Sequence, residues 1–246
     1  MPSTTYIFRR IEKKYFLTLA QYRALLSLIG AYLIPDAYGK STVCSLYLDT
    51  PDFRLIRASI DAVAYKEKLR VRTYGAPSNA SRAFLEIKKK YKGVVYKRRV
   101  SMTFAQVLEY IRSGKSPNDS QIMREIEYAM RIYDRPTPAM FLFYEREAYF
   151  VKDLPAVRLT FDTNVRYRRE GLEAGMGTEG KPVQSCDSVL MEIKTDGAMP
   201  LWLSAALDRC CIYPTKFSKY GTAYRDYCTS EPQKNLMINE GVQVYV

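Results

Sequence analysis

Between Lys66 and Thr73, four basic residues, Lys66, Lys68, Arg70 and Arg72, take every second position, with Leu69 and Val71 between them. Side chains on a β-strand alternate between two faces, so this segment reads as a strand with one cationic face and one apolar face. The pattern returns along the chain. Arg10, Glu12 and Lys14 share a face, and Glu86, Lys88 and Lys90 align opposite Leu85 and Ile87. Lys97 and Arg99 align, Arg158, Thr160 and Asp162 lie opposite Leu159 and Phe161, and Glu192 and Lys194 repeat the Glu-Ile-Lys triplet of Glu86–Lys88. Such a chain is confined to architectures that gather charge on one side of a sheet.

The remaining segments supply helices. Thr18–Tyr32 has helical periodicity and begins with a capping box, Thr18-x-x-Gln21. Thr103–Arg112 is capped by Thr103 and stopped at Gly114; Ser120–Tyr133, Pro200–Cys210 and Lys216–Cys228 complete the set. Strands are expected at Tyr6–Tyr15, Thr42–Asp49, Ala64–Tyr74, Arg82–Lys90, Val94–Met102, Ala139–Lys152, Ala156–Arg168 and Val189–Thr195, with a hairpin at Lys92-Gly93. Eight strands with helices between them predict an α+β fold: a closed antiparallel eight-stranded β-barrel with helices packed outside. One domain spans residues 1–229, followed by a tail at 230–246, and Glu170–Asp187 reads as a loop.

Two placements of the charged faces are open. Either they are ordinary solvated outer faces, or the helices cover the apolar faces and the charges line a lumen. A charged lumen needs counter-charge, so the second placement predicts a polyphosphate-sized anion in a basic tunnel. Glu12, Glu86 and Glu192 each sit two residues from a lysine. They either pair with neighbouring cations or offer oxygen ligands to Mg²⁺ or Mn²⁺.

Composition narrows the chemistry. Lysine and arginine number 38 against 26 acidic residues, a net charge of +12, which calls for a polyanionic partner. The sequence contains no histidine, which excludes Ser-His-Asp catalysis and His-ligated metals. Five cysteines without CxxC spacing argue for reduced thiols in a cytoplasmic protein. No signal peptide or membrane span is expected.

The charged motifs resemble, in order, the VTC polyphosphate polymerase domain. They are Arg10-Ile11-Glu12-Lys13-Lys14-Tyr15, Tyr47-Leu48-Asp49-Thr50, Lys68-Leu69-Arg70-Val71-Arg72-Thr73-Tyr74, Leu85-Glu86-Ile87-Lys88 and Tyr96-Lys97-Arg98-Arg99. Tyr144-Glu145-Arg146, Arg158 to Asp162, Glu192-Ile193-Lys194 and Lys216-Phe217-Ser218-Lys219-Tyr220 follow. The wider superfamily, the CYTH-like triphosphate tunnel metalloenzymes, consists of eight-stranded barrels with a basic lumen. Its phosphatases and cyclases carry Glu-x-Glu-x-Lys on the first strand, where this chain has Arg10-x-Glu12-x-Lys14. No SPX domain or membrane segment is read in the sequence.

The resemblance implies transfer of the terminal phosphoryl group of ATP onto polyphosphate. Lys14, Arg70, Arg72, Lys88, Lys97, Arg146 and Arg158 would carry catalysis. Arg10, Lys68, Arg99, Lys194, Lys216 and Lys219 would bind substrate, with Lys216 and Lys219 on one helix face. Glu192, Glu12 and Glu86 would hold Mn²⁺ or Mg²⁺. The partners expected are ATP, polyphosphate and pyrophosphate or triphosphate, not nucleic acid. A tunnel triphosphatase and a non-catalytic polyphosphate- or nucleotide-binding module are the alternatives.

Overall fold

The computed structural model describes residues 11–92, 94–183 and 188–230. Arg10, Cys186 and most of the 230–246 tail therefore lie outside the described residues. Strands are β1 (Ile11–Thr18), β2 (Leu33–Asp49), β3 (Tyr65–Tyr74), β4 (Arg82–Tyr91), β5 (Val94–Thr103), β6 (Thr137–Val151), β7 (Leu154–Arg168), β8 (Lys181–Pro182), β9 (Ser188–Thr195) and β10 (Pro214–Thr215). Helices are α1 (Leu19–Ile29), α2 (Arg54–Ile60), α3 (Phe104–Ser113), α4 (Gln121–Ile132), α5 (Leu201–Arg209) and α6 (Lys219–Ser230).

The helix starts follow local chemistry. Thr18 and Gln21 form a reciprocal capping box at α1, and Thr103 and Gln106 do the same at α3. Each box satisfies backbone N–H groups that the first helical turn leaves without partners. Gly114 ends α3 at φ 73°, a left-handed conformation that glycine adopts without a Cβ penalty. Ser120 caps α4.

The strands form one antiparallel sheet in the order β10-β1-β9-β7-β6-β2-β3-β4-β5, with β8 pairing β7 off this path. Among the described residues the path ends at β10 and β5. The expected closed eight-stranded barrel is thus corrected to a ten-stranded sheet that does not close. Closure requires pairing between the terminal strands, and at one end β10 has only two residues. No helix among the described residues is long and apolar enough to cross a membrane.

Two compact units each carry their own core. The first draws on Met1–Ser41, Glu145–Asn164 and Gln184–Phe217. Its core sets Tyr15, Leu17, Leu159, Phe161, Met191 and Ile193 of the sheet against Leu25 and Ile29 of α1 and Leu203 and Leu207 of α5. The second draws on Thr42–Tyr144, Val165–Val183 and Ser218–Val246. Here Leu46, Leu69, Val71, Leu85, Ile87 and Phe143 pack on Phe104, Val107 and Tyr110 of α3 and Met123 and Ile126 of α4. Within each unit the helices cover the apolar face of the strands. A one-residue slip in β3 or β4 would expose this core face, at about 2 kcal/mol for each large side chain. That cost turns the alternating charges to the opposite face.

Candidate functional site

The register of the second unit's strands stacks the cations in rows. Lys68 on β3 lies opposite Lys88 on β4, which lies opposite Lys97 on β5. The next row is Tyr47, Arg70, Glu86 and Arg99, and the next is Ser45, Arg72, Phe84 and Ser101. Lys66 opposes Lys90 at the other end.

Glu86, 1% exposed, lies at the centre of these rows. Its carboxylate accepts from Arg70 Nε at 2.7 Å and lies 2.7 Å from Lys97 Nζ. Burial alone would raise its pKa, but Arg70, Arg72 and Lys97 outweigh that and hold it at about 2. Lys97 moves the other way, to about 8, because burial and repulsion from Arg70 and Arg72 overcome Glu86. Arg72 is buried, donates from Nη2 to Tyr144 at 3.1 Å, and leaves its Nε without a hydrogen-bond partner among the described residues. Among the described residues no carboxylate forms an ion pair with it. Arg99 lies over the Phe84 ring, 4.8 Å from its centroid.

Tyr47 and the start of α6 border this cluster. Arg70 Nη1 donates to the Tyr47 hydroxyl at 3.4 Å, and the Tyr47 ring stacks on Tyr220 with centroids 4.2 Å apart. Burial would raise the Tyr47 phenol, yet Arg70, Lys68 and Arg72 bring it down to about 8. Lys68 Nζ donates to Ser218 Oγ at 3.0 Å, and Lys219 Nζ sits 4.5 Å from the Tyr144 ring centroid.

The first unit carries a second arrangement. On β1 and β9, Glu12 opposes Lys194 and Lys14 opposes Glu192, a checkerboard of two acids and two lysines. Lys14 lies 3.7 Å from Glu12 and 3.6 Å from Glu192, while Lys194 lies 4.0 Å and 3.5 Å from the same two. Lys14 also donates to the Phe217 carbonyl at 2.9 Å. Next across the sheet, Arg158 opposes Lys194 and Thr160 opposes Glu192. Arg158 pairs with Asp36 at 2.8 Å. Arg146 grips the fully buried Asp162 with two bonds of 2.6 and 2.7 Å.

The described residues hold no cluster of three acidic, cysteine or histidine side chains suited to a metal ion. A cation here would rest on one or two carboxylates and take its other oxygens from phosphate, the usual habit of Mg²⁺. Glu192 and Glu12 fit that arrangement. The buried Thr160 hydroxyl, directly across from Glu192, has no hydrogen-bond partner among the described residues and would add an oxygen. Glu86 differs, since Arg70 and Lys97 already engage its carboxylate.

The structure brings Lys68, Arg70, Arg72, Glu86, Lys88, Lys97 and Arg99 onto adjoining strands, and Glu12, Lys14, Arg158, Glu192 and Lys194 onto others. Lys216 lies before α6, which begins at Lys219, so the shared helix face expected for this pair is corrected: the backbone at Lys216 is not helical. Sequence reasoning gave no role to Tyr47, Tyr144, Ser218 or Asp36. Only cross-strand register or long-range contact brings them to the cations. The segment from Glu170 is held down through Val183, with Leu172 and Ala174 on the core and Gly175 N–H donating to the Pro77 carbonyl at 2.9 Å.

Two solved structures share the fold. One is a candidate adenylate cyclase from Bacillus halodurans, 13% identical, TM-score 0.52, covering 85% of this chain and 93% of that one. The other is a candidate adenylyl cyclase from Hippeastrum described as having a dominant triphosphatase activity, 16% identical, TM-score 0.51, covering 88% and 96%. At these identities the likeness is one of fold. No curated protein matches the chain. The VTC domain model matches residues 9–227, nearly the whole length, and the chain accordingly belongs to the VTC domain family.

Proposed function

We propose that this chain is a divalent-metal-dependent polyphosphate polymerase. A terminal oxygen of the polyphosphate attacks the γ-phosphorus of ATP, the bond to the β–γ bridging oxygen breaks, and ADP leaves. The observation that carries this reading is the row Lys68–Lys88–Lys97 beside Arg70, Arg72 and Arg99. Like charges placed directly opposite one another cost stability, and a multivalent anion removes that cost.

In this reading Arg70 and Arg72 bind phosphate oxygens with their planar forks, and Lys68, Lys88, Lys97 and Arg99 neutralise further oxygens. Glu86 aims Arg70. Lys14, Lys194, Arg158 and Arg146 provide charge in the first unit, and Arg10, Lys216 and Lys219 add to substrate binding. Glu192 and Glu12 hold Mg²⁺ or Mn²⁺, which when bound supplies positive charge to phosphate oxygens. Phosphoryl transfer asks mainly for positioning and charge neutralisation, so the lack of histidine is no obstacle. ATP as donor fits a cytoplasmic setting.

The test is incubation of the purified protein with ATP and Mn²⁺ or Mg²⁺, with products resolved by length on a gel. Chains that lengthen with time, and that vanish in Arg72→Ala and Lys88→Ala, are expected. Release of inorganic phosphate without chains would instead assign a triphosphatase, and binding without turnover a non-catalytic module.

A further inference from the structure

We propose that Tyr47 is a proton-linked counter-ion of Arg70, so that phosphate binding to this cluster takes up a proton onto the Tyr47 phenol. The inference rests on the phosphate-binding reading above and adds a residue and a regulation to it.

Tyr47 sits directly opposite Arg70 in the β2–β3 register and accepts from its Nη1 at 3.4 Å. Arg70 is held from its other side by Glu86 at 2.7 Å, so its guanidinium has two acceptors within the protein. The Tyr47 ring cannot swing away, because it is 8% exposed and stacked on Tyr220. Tyr220 is in turn fixed by its bond to Asp49. The groups facing the phenol are Lys68, Arg70 and Arg72 on β3 and Tyr220 on α6, with Glu86, Lys97 and Tyr144 beyond the arginines. Tyr220 stays protonated, since burial first and then Asp49 push its phenol well up. Three cations therefore act on Tyr47, and their charge brings it down to about 8.

A bound polyphosphate cancels that charge. The phenolate then loses its stabilisation, and Tyr47 takes a proton from solvent at its Oη. In the free protein above about pH 8, the phenolate instead neutralises Arg70 and competes with phosphate for it. Anion affinity should thus fall as pH rises through 8, by up to about tenfold per pH unit for one linked proton. Lys97 titrates in the same range and adds to the wild-type slope. The contribution of Tyr47 is the part that disappears when its hydroxyl is removed.

The experiment is tripolyphosphate binding by calorimetry from pH 6.5 to 9.5, in buffers of different ionisation heat, for the wild type and Tyr47→Phe. Proton uptake near pH 9 should be larger in the wild type by roughly one proton per site. The free wild type should also show a tyrosinate absorbance that grows near pH 8, fades on adding tripolyphosphate and is missing from Tyr47→Phe. Binding with equal proton uptake in both proteins, or no tyrosinate below pH 9, overturns the inference and leaves the polymerase reading intact. A wild type that binds no tripolyphosphate at any pH overturns both. The absorbance measured on the wild type alone keeps the proposal testable even if Tyr47→Phe folds poorly.

Discussion

The Tyr220 hydroxyl donates to Asp49 Oδ2 over 2.8 Å, joining α6 to the end of β2. Asp49 Oδ1 also accepts from the N–H groups of Thr50 and Leu55, and Oδ2 from that of Ile56. One buried carboxylate thus caps the N–H groups of Leu55 and Ile56 in α2, whose N-cap residue Phe53 offers no side-chain cap and whose Arg54 N–H donates to Thr50 Oγ1, and it anchors the helix that borders the basic cluster. The same tyrosine backs Tyr47.

Removing only the hydroxyl separates the anchor from the ring. Tyr220→Phe should cost about 1–2 kcal/mol of stability, because a buried carboxylate oxygen loses one of its donors while the stack on Tyr47 survives. Asp49→Ala removes two of the α2 cap bonds as well and should cost more, about 3 kcal/mol. Urea unfolding midpoints check both values. Equal stability of Tyr220→Phe and wild type would show that the bond carries no net weight.

Glu86 makes the acid limb of stability specific. Its folded pKa is depressed to about 2 by Arg70, Arg72 and Lys97 acting against burial. A depressed carboxylate contributes stability above its unfolded pKa, near 4.3 for glutamate, and loses it as pH falls through the folded value. The wild type should therefore weaken between about pH 4.5 and 2, by about 2–3 kcal/mol from this group alone. Glu86→Gln should be less stable at pH 7 and flatter across that acid window. Asp49 is raised by its burial and acts with the opposite sign, so the difference between variant and wild type is the quantity to measure.

The strand faces and helix caps were legible because their signals are local. Thr18 with Gln21 and Thr103 with Gln106 stand three residues apart, and alternation in β3 and β4 is visible within ten residues. The helix α2 was not legible: it starts after Phe53 at φ 59° and takes its cap from Asp49, on a strand. The two-residue strands β8 and β10 exist only through partners distant in sequence. Whether a sheet closes is likewise decided at its two ends, which no local pattern reports. The basic rows could be anticipated strand by strand, while the place of Tyr47 beside Arg70 depended on register.

Arg72 should trade stability for binding. Its guanidinium is buried, its Nε is without a partner among the described residues, and its Nη2 donates to the hydroxyls of Ser45 and Tyr144. A buried cation without a paired carboxylate is costly, and apolar groups of similar volume are often better tolerated. Arg72→Met should match or exceed wild-type stability, by up to about 2 kcal/mol, while losing at least about tenfold in tripolyphosphate affinity. Thermal melts and calorimetry test the two halves separately. A loss of stability with affinity unchanged would make Arg72 a structural residue.

Metal dependence should map onto the first unit's checkerboard. Each of Glu12 and Glu192 lies within 4.0 Å of both Lys14 and Lys194, so without a cation the four charges balance locally. Glu12 and Glu192 would hold a divalent ion while Lys14 and Lys194 turned to the oxygens of its phosphate partner, which would leave no net charge behind. Glu192 is the less exposed acid and faces the Thr160 hydroxyl, which has no partner among the described residues; both would make it the stronger ligand. Glu192→Gln should weaken Mn²⁺ binding in the presence of tripolyphosphate by more than about tenfold, since even outer-shell changes cost that much. Glu12→Gln should cost less, and Glu86→Gln should leave Mn²⁺ binding near wild type because Arg70 and Lys97 occupy its oxygens. Paramagnetic resonance of free Mn²⁺ measures all three without any need for turnover. A large loss in Glu86→Gln with none in Glu192→Gln would move the metal to β4.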